Sequence, residues 1–214
     1  MSALTIAVMA KAPVPGLAKT RLAPALGADG AATLAAQLLD HAVAQAVAAA
    51  LGPVSVWTTP DATHPAFQRL RQRHGVKLAV QGTGDIGQRM AAVFAAAFAH
   101  HSGPLLLMGT DLPGLTAAVL QQAAAALATH PAVLVPALDG GYGLIGLRQP
   151  APDVFADVDW STPAVLAQTR QRLAAAGLRH AELPTVADID EAADLVHLQG
   201  LPGFEWVQAL RDGT

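Results

Sequence analysis

Residues 104–115 read PLLLMGTDLPGL, a short continuous apolar run that leads into an acidic residue. A run of this length without alternation, bounded by Pro and Gly, is typical of a strand buried on both faces of a sheet. Pro113 and Gly114 stop the strand, so that the carboxylate of Asp111 points beyond its carboxyl end. Ligands of open α/β sheets bind at that edge, where a carboxylate suits Mg²⁺. An Asp that only caps a helix or a turn fits the local sequence equally well.

Five further apolar runs extend this pattern along the chain. They are LTIAVM (4–9), VSVWTT (54–59), VKLAV (76–80), AVLVPAL (132–138) and GLIGL (143–147). They alternate with Ala-rich helical patterns, including predicted helices at 29–51 and 86–98, which predicts a mostly parallel sheet with helices on both faces. The Gly140-Gly141 pair between the last two runs predicts a hairpin, and so a small antiparallel excursion. With no visible linker or repeat, we expect one α/β domain over residues 1–214.

Composition argues against several classes of function. A formal net charge of -3 with 14% charged residues provides no basic field for nucleic-acid binding. Without any Cys, the chain has no disulfide and no thiolate ligand, and its eight His lack the H-x-x-x-H and H-E-x-x-H spacings of metal sites. The sequence has neither an uninterrupted apolar stretch long enough to span a membrane nor a signal segment. We therefore expect a cytoplasmic protein with no nucleic-acid or membrane partner.

The loop after the first apolar run concentrates cations in a Lys-poor chain. It reads AKAPVPGLAKTRLAP over residues 10–24 and carries Lys11, Lys19 and Arg21 around a Pro-rich turn at Gly16. The cations are placed to converge on phosphate oxygens, and a triphosphate suits the arrangement. The spacing does not match a Walker loop, which needs G-x-x-x-x-G-K-[ST]. A solvated loop with ordinary surface cations is the alternative.

A second loop carries three glycines in the spacing G-x-G-x-x-G. Residues 81–90 read QGTGDIGQRM, with Gly82, Gly84 and Gly87 in that spacing after a predicted strand. The motif alone is typical of dinucleotide binding, so an NAD(P)-dependent oxidoreductase is a rival interpretation. Asp85 would repel a pyrophosphate placed there, and the basic first loop would have no role. We favour a turn whose amides approach a base or ribose; a turn that only caps the next helix is the simpler alternative.

Further acids follow later in the chain. DGGYGLIGL offers Asp139 in a bare turn with Gly140 and Gly141, where an acceptor molecule could approach, although a plain hairpin turn is almost as well supported. TVADIDEAADL (185–195) places several acids at a helix start, where negative charge is favoured anyway. Asp190 among them could complete a metal site, and Asp159 in DVDWST is a second-choice candidate for the same role.

The segments KAPVPGLAKTRLAP, QGTGDIGQRM, MGTDLPGL, DGGYGLIGL, DWST and DIDEAADL occur in this order over nearly the whole chain. Together they resemble the bacterial DUF2064 family, also called the rSAM-selenodomain-associated transferase 1 family, within the nucleotide-diphospho-sugar transferase superfamily. That family is similar to molybdenum cofactor and phospholactate guanylyltransferases. The resemblance implies a single-domain GT-A, Rossmann-like α/β fold.

The resemblance also implies roles for individual residues. Lys11, Lys19 and Arg21 would hold phosphates, and the Gly82–Gly87 turn would meet the nucleoside. Asp111 would bind Mg²⁺ or Mn²⁺, and Asp190 is our candidate for the second ligand. The whole expected nucleotide site comprises Lys11, Gly16, Lys19, Arg21, Gly82, Gly84, Asp85, Gly87, Asp139, Gly140 and Gly141.

These expectations combine into a predicted reaction. Lys19, Arg21 and Asp111 would catalyse Mg²⁺-dependent transfer of a nucleoside monophosphate from an NTP to a small phosphorylated or hydroxyl acceptor. A glycosyltransferase using a nucleotide-sugar is the alternative, although Asp111 follows Gly109-Thr110 and so lacks the D-x-D of many such enzymes. The basic loop favours nucleotidyl transfer, because a departing pyrophosphate calls for cations. An inactive nucleotide-binding protein is a further alternative, and a homodimer is compatible with the sequence.

Overall fold

A computed structural model describes residues 3–100 and 103–207. Over these residues the strands are β1 (Thr5–Lys11), β2 (Val54–Thr59), β3 (Lys77–Val80), β4 (Leu105–Met108), β5 (Ala132–Pro136), β6 (Tyr142–Leu147) and β7 (His180–Glu182). The α-helices are α1 (Ala23–Ala48), α2 (Pro65–His74), α3 (Ile86–His100), α4 (Ala117–Ala126) and α5 (Val165–Ala175). Short 3₁₀ helices occupy Thr20–Leu22, Pro152–Phe155 and Ala192–Leu198.

The strands form one sheet in the order β3-β2-β1-β4-β6-β5-β7. β1 pairs in parallel with β2 and β4, β2 with β3, and β5 with β7. β6 runs antiparallel to both of its neighbours, β4 and β5. The predicted α/β class, with a mostly parallel sheet and a small antiparallel part, is therefore confirmed. The reversed strand, β6, lies inside the sheet, between β4 and β5.

Alternation along the central strands separates two apolar layers. Leu106 and Met108 of β4 face one side of the sheet, with α1, α2 and α4, whereas Leu105 and Leu107 face the other, with α3 and α5. All four β4 side chains are buried, which explains why this strand reads as a continuous apolar run. A third cluster joins α1 to the C-terminal segment through Leu34, Ile189, Leu198 and Phe204, among others.

The first helix departs from its predicted bounds. It begins at Ala23 and ends at Ala48, instead of covering residues 29–51. Gly27, with φ 73° and ψ 166°, interrupts the helical backbone, so the long apolar-patterned part follows this break. Pro24 sits in the first turn, where its missing N–H costs no hydrogen bond, and this allows the earlier start.

None of the helices within 3–100 and 103–207 has the length and apolarity that crossing a membrane requires.

Candidate active site

A cavity of about 530 Å³ lies at the edge of the sheet where β1, β2 and β4 end. Because β6 is antiparallel to β4, its first residues reach the same edge, and Gly109 N donates to Gly143 O at 3.0 Å. The walls come from the first loop, the ends of β1, β2 and β4, the start of α3, the start of β6 and Asp190. The polar side chains among the lining residues are Lys11, Lys19, Thr20, Arg21, Thr59, Gln81, Arg89, Thr110, Asp111, Tyr142 and Asp190.

The first loop is folded by its own hydrogen bonds. Leu17 N and Ala18 N both donate to Val14 O, at 3.0 Å each, and Lys11 Nζ donates to Leu17 O at 2.8 Å. Gly16 has φ 76°, a left-handed value that glycine adopts at no steric cost, and it shapes the turn without lining the cavity. The loop therefore presents Lys11, Lys19 and Arg21 to one cavity, as the sequence predicts.

Lys19 joins the two acids that the sequence singles out for metal binding. Its Nζ lies 3.0 Å from Asp111 Oδ2 and 2.9 Å from Asp190 Oδ1. The Lys19 side chain is only 6% exposed, whereas those of Asp111 and Asp190 are 47% and 44% exposed. The ammonium is thus enclosed between two carboxylates that remain open to the cavity.

Arg21 extends this charged cluster towards solvent. Its Nη1 lies 3.7 Å from Asp190 Oδ2 and 3.8 Å from Glu191 Oε1, and its side chain is 69% exposed. At these distances the pairing is electrostatic, without a close hydrogen bond. Arg21 can therefore turn towards an anionic ligand at little cost.

Backbone hydrogen bonds hold the two acids side by side. Ile189 N donates to Asp111 O at 2.9 Å, and the fully buried Ile189 side chain anchors this crossing in the third apolar cluster. Asp190 N and Glu191 N both donate to Asp194 Oδ2, at 2.9 and 2.7 Å. Asp194 therefore caps the last 3₁₀ helix, which leaves the carboxylate of Asp190 directed at the cavity.

The pair Asp111 and Asp190 fits a divalent cation. Because one ammonium contacts both carboxylates within 3.0 Å, one cation can reach both. Two carboxylates with water and phosphate oxygens form the kind of donor set that Mg²⁺ prefers. Within residues 3–100 and 103–207 no group of three or more acidic or His side chains is arranged to hold a metal ion. A metal held by these two carboxylates would complete its coordination with water or with substrate oxygens.

The turn at Asp139 lies next to the cavity without lining it. Gly141 N donates to Asp139 Oδ1 at 2.8 Å, which closes the turn of the predicted hairpin. Gly140 has φ 87°, and a Cβ there would overlap the backbone of Pro163. The glycines thus allow the hairpin to pack against the residues that precede α5.

Asp188 lies among other carboxylates near this turn. Burial raises the pKa of Asp188, and the carboxylates of Asp139, Asp190 and Asp194 raise it further. This side of the cavity is therefore acidic, opposite in sign to the first loop.

The Gly-rich segment begins α3. Gln88 N donates to Asp85 Oδ1 at 2.8 Å, and Asp85 N donates to Gln88 Oε1 at 3.0 Å, so the two side chains form a reciprocal cap. Gly82, Gly84 and Asp85 are exposed and do not line the cavity. Gly87 is buried, and a Cβ there would overlap the indole ring of Trp160. This geometry is that of the helix-capping alternative.

Residues adjoining that segment enter the cavity, although sequence reasoning did not single them out. The Gln81 amide donates to Trp57 O at 2.7 Å and to Ala10 O at 3.2 Å, so its nitrogen is held by β1 and β2. Arg89 Nε donates to Gly84 O at 2.9 Å, which ties α3 to its own loop. Gln81 directly follows β3, and this position at the carboxyl end of a strand is the signal that could have identified it.

Tyr142 also lines the cavity, although it was not among the predicted site residues. Its hydroxyl is buried and has no hydrogen-bond partner in the part of the chain that the structure describes. Burial raises the pKa of Tyr142 above its usual value. The aromatic ring, and not the hydroxyl, is therefore what this residue contributes to the cavity wall.

Solved structures share this fold over at least 96% of their length. A candidate nucleotide-diphospho-sugar transferase from Desulfovibrio desulfuricans G20 is 28% identical, with a TM-score of 0.88, over 100% of this chain and 96% of that one. CMP:2-keto-3-deoxy-manno-octonic acid synthetase, complexed with CTP, is 15% identical, with a TM-score of 0.61, over 95% and 100%. Rv0371c from Mycobacterium tuberculosis H37Rv, in complex with manganese, is 14% identical, with a TM-score of 0.58, over 92% and 97%.

The sequence itself also identifies a family. No curated protein is significantly similar. The profile of the family DUF2064, described as "uncharacterized protein conserved in bacteria", matches residues 38–162, which is more than half of the chain. Together with the nucleotide-diphospho-sugar transferase fold, this match confirms the resemblance seen in the motifs, and the chain belongs to the DUF2064 family.

Proposed function

We propose that the chain is a metal-dependent nucleotidyltransferase, which moves a nucleoside monophosphate from an NTP to a small acceptor. The observation that carries this proposal is the enclosed Lys19 ammonium between Asp111 and Asp190, beside two more cations of the same loop. Basic groups for a polyphosphate and a paired carboxylate site for its metal thus meet in one cavity. The synthetase of the same fold that was solved with CTP supports a nucleotide as the ligand.

Two groups of cavity residues have separate roles in binding the phosphates and their metal. Lys11, Lys19 and Arg21 bind the phosphates of the NTP, with Lys11 already held close to the loop backbone by its bond to Leu17 O. Asp111 and Asp190 would hold Mg²⁺ or Mn²⁺, and the manganese in the related Rv0371c structure supports this assignment. The bound ion would withdraw electron density from the phosphate oxygens and shield their charge.

We assign the nucleoside to the wall formed by the end of β3 and the start of α3. Gln81 and Arg89 line that wall, and the Gly82–Gly87 turn lies just behind it. Because the Gln81 nitrogen is held by two carbonyl groups, its oxygen is the atom left to accept a hydrogen bond from a base. The turn at Asp139, Gly140 and Gly141 lies on the acidic side, where we place the approach of the acceptor.

The reaction that suits these groups is an in-line displacement. An acceptor oxygen forms a bond to the α-phosphorus of the NTP, the bond from that phosphorus to the β-phosphate bridge breaks, and pyrophosphate leaves. The acceptor proton passes to water or to a phosphate oxygen. Lys19 and Arg21 stabilise the negative charge that accumulates on the departing pyrophosphate. No side chain needs to form a covalent intermediate.

Glycosyl transfer is a second candidate function. It is favoured by the similarity to the candidate nucleotide-diphospho-sugar transferase, which extends over the whole chain. The same carboxylate pair could then act on the diphosphate of a nucleotide-sugar. The two reactions differ in their products, because glycosyl transfer releases a nucleoside diphosphate or monophosphate and no pyrophosphate.

A thermal-shift panel tests the proposal. NTPs, nucleoside diphosphates, nucleotide-sugars and NAD(P) are compared with and without Mg²⁺, since a ligand at a hundredfold its Kd stabilises a protein by about 2.7 kcal/mol. Stabilisation by an NTP that increases with Mg²⁺ and is lost in Asp111→Asn supports nucleotidyl transfer. Preference for a nucleotide-sugar supports the second candidate, and preference for NAD(P) contradicts both.

A further inference from the structure

The charges around Lys19 are almost balanced without any bound ion. The Lys19 and Arg21 cations face the carboxylates of Asp111, Asp190 and Glu191 within 3.8 Å. Three carboxylates and two cations leave one net negative charge in the cluster. A free divalent ion entering this cluster would meet the repulsion of two nearby cations.

The position of Lys19 is also enforced by the fold. Its backbone has φ 49° and ψ 44°, in the left-handed region that residues other than glycine rarely adopt. Such a conformation persists where the surroundings over-determine it, and it is common at functional sites. Its side chain is almost completely enclosed, while the two carboxylates that it contacts are about half exposed.

We infer that Lys19 occupies the place of the divalent ion in the nucleotide-free protein, so that the ion binds together with the nucleotide. This inference rests on the proposed function and specifies how its metal is acquired. The Nζ of Lys19 lies 3.0 and 2.9 Å from the two carboxylate oxygens that the ion would need. The ammonium and the ion therefore compete for the same ligands.

The phosphates of an NTP relieve this competition. They offer Lys19 a new anionic partner in the same cavity, and they add oxygen ligands to a site that supplies only two carboxylates. Lys19 can then move from the carboxylates to the phosphates as the ion takes its place. The metal–nucleotide complex, and not the free ion, is consequently the species that this site recognises.

The test measures binding of Mn²⁺ alone, by electron paramagnetic resonance of the free ion, without nucleotide and without turnover. We expect weak binding to the wild-type protein and at least about tenfold tighter binding to Lys19→Met, because the competing charge is removed. Lys19→Gln is a second variant that keeps a polar side chain at this position. The control is Lys77→Met, which removes one positive charge at the amino-terminal end of β3, on the opposite edge of the sheet.

The outcomes separate this inference from the proposed function. The inference is supported if both Lys19 variants bind Mn²⁺ more tightly than the wild-type protein and Lys77→Met does not. The gain in Mn²⁺ affinity should also be lost when Asp111→Asn is added to a Lys19 variant. If the wild-type protein and the Lys19 variants bind Mn²⁺ with equal affinity, and this binding depends on Asp111, the role of Lys19 is overturned but the metal site is supported. If no variant binds free Mn²⁺ through Asp111, the inference is overturned, and the proposed function is then decided separately by the thermal-shift panel with NTP and Mg²⁺.

Discussion

The indole ring of Trp160 fills the space that a Cβ on Gly87 would occupy. We therefore predict that Gly87→Ala lowers the free energy of unfolding. Overpacking costs about 1–3 kcal/mol, which exceeds the gain of about 1 kcal/mol from replacing a helical Gly by Ala. Urea denaturation at pH 7 measures the change.

Gly82→Ala is the matched control for this prediction. Among the described residues, a Cβ at Gly82 would have Ala92 Cβ, at 3.9 Å, as its only contact within 4 Å beyond the two chain neighbours, and Gly82 has no left-handed backbone. Its stability should stay within about 0.5 kcal/mol of wild type, as is usual for surface substitutions. Equal destabilisation of both variants would show that Trp160 is not the reason for glycine at position 87.

A second prediction concerns Asp111. Asp111→Asn should lower metal-dependent turnover by at least about a hundredfold, because it would remove one of the two negative ligands that we propose for the metal. The fold should be preserved, since the side chain is 47% exposed and the bond from Ile189 N is made to the backbone carbonyl. Pyrophosphate release, measured with the NTP that stabilises the protein most, checks the rate. Full turnover in this variant would contradict the mechanism.

Arg21 should affect the substrate more than the fold. Its guanidinium is exposed and its ion pairs are long, so Arg21→Ala should change stability by less than about 1 kcal/mol. The lost phosphate contact should lower kcat/KM for the NTP by about tenfold or more. Steady-state kinetics measure the loss, and Arg21→Lys should recover part of it. An unchanged kcat/KM in Arg21→Ala would remove Arg21 from the phosphate site.

The ion pair between α5 and β7 should make stability depend on pH. Arg170 Nε and Nη2 donate to Glu182 Oε1 and Oε2 at 2.7 and 2.8 Å, and these bonds, followed by the one from His180, hold the pKa of Glu182 below its usual value. A lowered pKa in the folded state stabilises the protein above the unfolded value of 4.5, and this stabilisation is lost as the pH falls through the lowered pKa.

Glu182→Gln tests this relation. At pH 7 the variant should be less stable by no more than about 1 kcal/mol, because solvent screens a partly exposed pair. The difference from wild type should shrink as the pH falls below about 4.5. Urea midpoints between pH 7 and pH 3 measure it, and a difference that stays constant over this range would exclude ionisation of Glu182 as the cause.

The buried strands could be predicted well from the sequence, whereas polar and long-range features could not. β4 and β5 are apolar and buried throughout, and continuous apolar runs are typical of strands that are covered on both faces. β7 has only three residues, His180–Glu182, with no apolar pattern to reveal it. The hairpin predicts that β5 and β6 are neighbours, but local sequence contains no signal that β6 also pairs with β4.

The same contrast applies to the site. Placing Asp111 at the carboxyl end of a strand follows from the local pattern, and the structure brings it together with Asp190 and the three cations of the first loop. The double contact of Lys19 with both acids was not predicted, because it depends on tertiary packing of distant segments. The reciprocal cap of Asp85 and Gln88, by contrast, could have been recognised from their three-residue spacing.

Lys19 and Asp190, which meet in the cavity, are 171 positions apart in the chain. During synthesis from the N-terminus, the basic loop and its strand therefore emerge long before the second carboxylate exists. Early folding can assemble β1, β2 and β3 with the cations, but closing the ligand site requires a contact of very high sequence separation. The metal-bound nucleotide that we propose as the ligand can thus be captured only after the segment that carries Asp190 has docked, which delays ligand-assisted stabilisation to a late stage of folding.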